Sequence, residues 1–249
     1  MSIRALRHYI HQIKREGKPV REISCLGNSE TLLADCPFII DNETRSNIIL
    51  AEDTYVELGP PGRSSYHCVL MASSTRSVKD GLVTVIGPDI PESSGKTLPF
   101  GQVLILAGTR ALSDMYPGLE LCQYTTSRLP GYMIRFSPRR IWSRVGKKAA
   151  EGGFNLEILA RNILALYKFE FTGIHAMEIV FVTSCDEDVA RLGRITERRA
   201  RTVHSLIKKR YKCDAASDCE NCAFSPICER IRTMGDLSGA DRKRKREIS

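Results

Sequence analysis

The sequence has no apolar stretch long enough to cross a bilayer. A spanning helix needs about 18–20 consecutive apolar residues, and the longest candidate run, Val103 to Ala107, is the length of a strand. The opening residues, MSIRALRHYIHQIKREGKPV, hold no uninterrupted apolar core. That excludes a secretory signal, and the scarcity of serine makes a poor transit peptide. The expectation is a soluble, cytoplasmic protein with no membrane partner. Familiar catalytic signatures are missing as well. Ser94-Gly95-Lys96-Thr97 looks like the end of a phosphate-binding loop, but the required first glycine would fall on Ile90. A nucleoside triphosphatase is therefore excluded. The five histidines form no zinc-protease pair, and no Gly-x-Ser-x-Gly elbow occurs. Internal repeats are absent.

What is present is an ordinary globular composition, 42% hydrophobic and 27% charged over 249 residues. The formal charge of +8 is unevenly placed. Residues 1–21 carry six Lys/Arg against Glu16, and residues 241–249 carry five against two acids, so the ends supply the whole excess. A pI near 9.1 is then weak support for nucleic acid, which is read as an unlikely partner. Inside the neutral body lie two acid-poor blocks. Residues 121–150 hold Arg128, Arg135, Arg139, Arg140, Arg144, Lys147 and Lys148 with no acid, and residues 191–212 hold nine cations against Glu197. Such blocks point to local anion sites, although helices also place Lys and Arg on their wet faces.

Hydrophobic periodicity sets the expected elements. Ile3, Leu6, Ile10 and Ile13 predict a helix over 3–16 that Gly17 ends. Strands are expected at Pro37–Ile40, Thr54–Leu58, Tyr66–Ala72, Leu82–Ile86, Gln102–Ala107, Tyr132–Phe136 and Ala176–Thr183. Ser137, with Pro138 in the first turn, predicts a helix running to Ala150. Asn155 caps a second, Leu156 to Lys168, and Asp186 to Tyr211 reads as one long helix. The expected fold class is α/β (mixed α+β), a mixed sheet flanked by helices, with the long helix leading into a small Cys-rich module. The expected division is an N-terminal helix and linker (1–35), an α/β domain (36–212), the Cys-rich module (213–230) and a basic tail (231–249).

Of nine cysteines, Cys25, Cys36, Cys68, Cys122 and Cys185 are scattered and read as small buried hydrophobes. The other four, Cys213, Cys219, Cys222 and Cys228, fall within sixteen residues in the pattern C-x5-C-x2-C-x5-C. Four thiolates on one short segment can converge on one centre. Disulfides do not suit a reducing cytosol. Structural zinc usually takes two short knuckles, and here there is one. A 4Fe-4S cluster accepts unevenly spaced cysteines from one segment. The pattern favours the cluster, with zinc as the alternative.

Three stretches carry a resemblance when taken together and in order: VELGPPGRSSYHCVLM (56–71), LVTVIGPDIPE (82–92) and RRIWSRVGKKAAEGGFNLEILARNI (139–163). They resemble the middle region of acetyl-CoA synthase, the beta-type subunit of the carbon monoxide dehydrogenase/acetyl-CoA synthase complex. The resemblance spans roughly residues 50–222. It implies an iron–sulfur protein of anaerobic C1 metabolism with protein partners in a metalloenzyme complex. It further implies coenzyme A, or a similar phosphorylated ligand, as a binding partner. Trp142 matches the family's tryptophan associated with coenzyme A, and Arg144 and Lys147 match its neighbours. With Arg139 and Arg140 they form the candidate ligand set. Guanidinium forks suit phosphate oxygens and an indole face suits adenine, while a packed tryptophan with snorkelling arginines is the ordinary alternative. Cys219 and Cys222 match the family's first cluster pair, with Cys213 and Cys228 completing four. No Cys-Gly-Cys motif follows, so no dinickel site is expected. Turnover, if any, would be of the CO-methylating acetyl-CoA synthase class within a complex. A redox or assembly partner whose arginines meet an acidic protein surface is a second reading.

Overall fold

In the computed structural model, residues 3–41, 47–72, 74–108, 112–137 and 139–196 are described. Nine strands form two mixed sheets flanked by helices. Sheet A has the order β1 (Val20–Ser24), β4 (Leu82–Ile86), β9 (Ile174–Val182), β6 (Phe100–Gly108), β3 (Ser65–Ala72). Sheet B has the order β5 (Thr97–Leu98), β2 (Thr54–Leu58), β8 (Arg140–Gly146), β7 (Tyr132–Ser137). The helices are α1 (Ile3–Arg15), α2 (Ser29–Leu33), α3 (Leu112–Thr126), α4 (Lys147–Glu151) and α5 (Leu156–Glu170). A further helix begins at residue 186 and is described to 196. The remainder of the expected 186–211 helix lies outside the described residues, as does the Cys-rich module.

Sheet A is buried on both faces, which is why its central strands read as unbroken apolar runs. On one face Ile3, Leu6, Tyr9, Ile10 and Ile13 of α1 pack on Val103, Ile105, Val180 and Val182, with Val189 and Leu192 beside them. Their 3–4-residue spacing is the helical stripe read in the sequence. On the other face Leu104, Leu106, Ile179 and Phe181 join the core built by α3, α5 and the inner side of sheet B.

Two polar pairs pin the α1 layer. Glu178, 1% exposed on β9, accepts from Arg7 of α1 and from the backbone N–H of Lys79. Lys18 Nζ meets Asp188 Oδ1 at 2.7 Å. Burial pushes the Asp188 carboxyl up, but the Lys18 ammonium and the Ser184 hydroxyl outweigh it and hold the group below its ordinary range.

The Ile86-Gly87-Pro88-Asp89 turn is a structural joint. Gly87 has φ +104° and a Cβ there would lie 2.4 Å from Ser184 N, so β9 passes where only glycine fits. Asp89 Oδ1 accepts from Ile90 N (2.7 Å) and from Leu156 N (2.9 Å), joining the turn to the start of α5, where Asn155 caps Ile158 N at 2.9 Å.

Several expectations are corrected. Residues 37–40 are not a strand. Their backbone is satisfied by a side chain instead: the buried Asn162 amide accepts from Ile40 N (3.1 Å) and donates to Phe38 O (2.8 Å), so no ladder is needed. No helix runs from Ser137 to Ala150. That stretch is the β7–β8 hairpin followed by the short α4. Ile141, Ser143 and Val145 point inward while Arg140, Trp142 and Arg144 point outward, a period of two that fits a strand and not a helix. Two elements were unforeseen. β1 pairs with β4, and α3 forms despite Pro117-Gly118 in its middle.

Candidate functional site

Sheet B has one buried face and one wet face. Val56, Leu58, Tyr132, Ile134, Ile141 and Val145 enter the core. The opposite face carries Glu57 of β2, Met133 and Arg135 of β7, and Arg140, Trp142 and Arg144 of β8. Register makes this a compact group. Arg144 stands opposite both Glu57 and Met133, Trp142 opposite Arg135, and Arg140 opposite Ser137. Residues facing one another across a ladder share a side, about 4.5–5.5 Å apart at Cβ.

Glu57 is the centre of the arrangement. Its Oε1 accepts from Trp142 Nε1 at 2.9 Å and from Arg144 Nε at 2.8 Å. Arg144 Nη1 also donates to Ile49 O at 3.1 Å, and the guanidinium lies 5.1 Å from the centre of the indole ring. Arg135 is exposed and its Nη1 donates to Ile134 O at 2.8 Å. Arg140 is exposed. Arg139 sits in the hairpin bend with φ +66°, and its carbonyl accepts from His67 N at 3.0 Å. Lys147, exposed, opens α4 and donates its backbone N–H to Asp53 O at 2.9 Å.

The structure therefore brings Arg140, Trp142 and Arg144 onto one face, with Arg139 and Lys147 at the two ends of β8. It adds two residues absent from the candidate set. Arg135 was in the cationic block, and reading Tyr132–Phe136 as a strand places it on the wet side. Glu57 gave no sequence signal of its own, since its role depends on a strand partner 87 residues away. The arginine block is not one patch, since Arg128 follows α3 and stacks on Tyr124 at 5.1 Å. No helix N-terminus adds its positive end to Trp142, because Trp142 lies in mid-strand.

A fully buried imidazole lies beneath this face. His67 of β3 packs on Phe136 at 4.9 Å and meets Gln123 Nε2 of α3 at 2.8 Å. An amide nitrogen can only donate, so His67 Nε2 accepts and the proton sits on Nδ1. Desolvation lowers its pKa to about 4, which keeps the ring neutral.

Cys25, Cys36, Cys68 and Cys122 are buried and Cys185 half-buried, all as free thiols. Burial pushes Cys25 and Cys68 up to about 11, so they are inert. Among the described residues no group of three His, Cys, Asp or Glu side chains could hold a metal ion. Cys213, Cys219, Cys222 and Cys228 lie outside the described residues. Among the described residues, too, no helix is long and apolar enough to cross a membrane.

A sequence model of the CO dehydrogenase/acetyl-CoA synthase complex beta subunit matches residues 37–189. The chain belongs to this beta-subunit family. The matched segment contains the Glu57–Trp142–Arg144 group and the turn at Gly87. Among relatives, the acetyl-CoA decarbonylase/synthase complex subunit beta of Archaeoglobus fulgidus is 30% identical over 218 residues, covering 83% of this chain and 41% of its own. That of Methanopyrus kandleri is 28% identical over 231 residues, covering 86% and 48%. The subunit beta 1 of Methanosarcina mazei is 26% identical over 222 residues, covering 84% and 46%. The chain thus spans less than half the length of these beta-subunit relatives.

Proposed function

We propose that this beta-subunit family member is a cytoplasmic iron–sulfur protein of anaerobic C1 metabolism. It binds coenzyme A, or a similar phosphorylated nucleotide, on the wet face of sheet B and acts with protein partners in a metalloenzyme complex. The names of the relatives, all complex subunits, support the partnership. The observation that carries the ligand reading is an indole and three guanidinium groups on one solvent-facing sheet surface whose reverse side is core. An indole face stacks on adenine, and guanidinium forks take phosphate oxygens in pairs. Arg139 and Lys147 extend the positive field along the strand. Trp142 is the only tryptophan in the chain, so its fluorescence reports on this face alone. Coenzyme A is expected to quench it in a saturable way. Trp142→Ala is expected to weaken binding about tenfold in calorimetry, the value of one good aromatic stack. Unchanged affinity would remove the assignment.

The cluster is assigned to Cys213, Cys219, Cys222 and Cys228. Four soft thiolates with no oxygen donor among them suit iron–sulfur chemistry, with zinc the competing occupant. When bound, the cluster would supply one-electron transfer or a structural tie for the segment. Anaerobic purification is expected to give about four irons and four sulfides per chain, lost in Cys219→Ala. One zinc per chain without iron would overturn the redox version.

A further inference from the structure

The arginines on the wet face of sheet B are not equivalent. Arg144 has its charge matched by Glu57, and its Nε and Nη1 are engaged by the carboxylate and by Ile49 O. Both side chains of the pair are about four-fifths shielded, at 22% and 19% exposure, so the contact is screened less than an open surface pair. The same Glu57 oxygen holds the indole N–H, and the Arg144 guanidinium lies over the ring. A carboxylate, a guanidinium and an indole therefore form one closed unit.

Arg135 and Arg140 differ. Both are exposed, and among the described residues no ion pair involves either. Side chains two residues apart on a strand stand on the same face about 7 Å from each other. Arg140 and Arg144 accordingly flank Trp142 on opposite sides. With Arg144 over the indole, the side of Trp142 toward Arg140 remains for a ligand, and Arg135 stands directly across the ladder from that position.

We infer that Glu57 is a positioning residue that locks Trp142 and takes Arg144 out of anion binding, leaving Arg140 and Arg135 as the cations that meet the ligand's phosphates. This rests on the nucleotide reading above and redistributes its roles. Arg144 orients the indole, Trp142 offers one face to a base, and Arg140 closes on that base from the other side.

The test combines Trp142 emission without ligand and coenzyme A affinity measured against salt concentration, in the full chain. Glu57→Ala and Arg144→Gln are expected to shift Trp142 emission and lower its anisotropy before any ligand is added. Glu57→Gln, which keeps an acceptor oxygen, is expected to restore part of both. Arg140→Gln and Arg135→Gln are expected to leave emission unchanged, weaken coenzyme A binding about tenfold each, and flatten the salt dependence. Arg144→Gln is expected to leave the salt dependence as in the wild type, since the Glu57–Arg144 pair is neutral as a whole. The inference is overturned if Arg144→Gln flattens the salt dependence as Arg140→Gln does, or if Glu57→Ala leaves emission unmoved. Failure of the wild type to bind coenzyme A at all would sink the nucleotide reading, while the ligand-free emission would still judge the Glu57 clamp.

Discussion

Replacing Arg7 by alanine is expected to lower the unfolding free energy by about 3–5 kcal/mol, because it strands a buried carboxylate. Glu178 is 1% exposed and points from the middle of sheet A into the layer covered by α1. One of its oxygens accepts from Arg7 and from the Lys79 N–H, and the other has no partner. Losing the guanidinium leaves the charge with a single backbone donor in an apolar layer, and the chain must either protonate the group or pull α1 from the sheet. The double variant Arg7→Leu/Glu178→Leu is expected to recover much of the loss, since apolar packing can replace a buried ion pair at little net cost. Urea unfolding of the two variants and the wild type decides it. A loss under about 1 kcal/mol for Arg7→Ala would place the pair with ordinary surface bridges.

The second large effect is expected on acidification. His67 is neutral in the fold, its pKa held at about 4 by burial, whereas an unfolded histidine titrates near its ordinary 6.5. As pH falls from 6.5 to 4, the unfolded chain takes up a proton that the folded chain refuses. Stability therefore declines through that window, by about 1.4 kcal/mol per pH unit and on the order of 3 kcal/mol in all. Above pH 6.5 the histidine contributes no slope. His67→Phe keeps a ring against Phe136 and removes the proton, so the difference between variant and wild type isolates this group from the carboxylates that titrate lower. Parallel stability curves for the two proteins between pH 7 and 4.5 would refute the account.

Both effects arise where sequence reading was weakest. Strands rich in Val and Ile were legible because side chains buried on both faces leave no competing helical pattern. Thr54–Leu58 and Leu82–Ile86 were read at their observed bounds. The amphipathic α1 and the Asn155-capped α5 were legible from spacing and cap chemistry. Residues 140–146 were not, because Pro138 and the following Lys147-Lys148-Ala149-Ala150 carry helix signals that outweighed the alternation of Ile141, Ser143 and Val145. α3 was missed for the opposite reason. Pro117-Gly118 discourages a helix locally, but a Cβ at Gly118 would lie 2.6 Å from the Phe171 ring, so the glycine admits close packing against the end of α5. Tertiary contact decided the helix, and a sequence window does not contain it. The site divides in the same way. Trp142, Arg140 and Arg144 were found from composition, whereas Glu57 and the register that unites them exist only once β2 and β8 pair.

The position of β9 has a consequence for synthesis of the chain. It is the middle strand of sheet A, parallel to β4 and antiparallel to β6, yet it comes last in sequence. Until residue 182 leaves the ribosome, two apolar strands have unpaired edges facing each other across a gap. Contacts so distant along the chain form slowly, and such exposed edges invite pairing between nascent copies. A chaperone able to shield β4 and β6 during that interval would raise the yield of native protein.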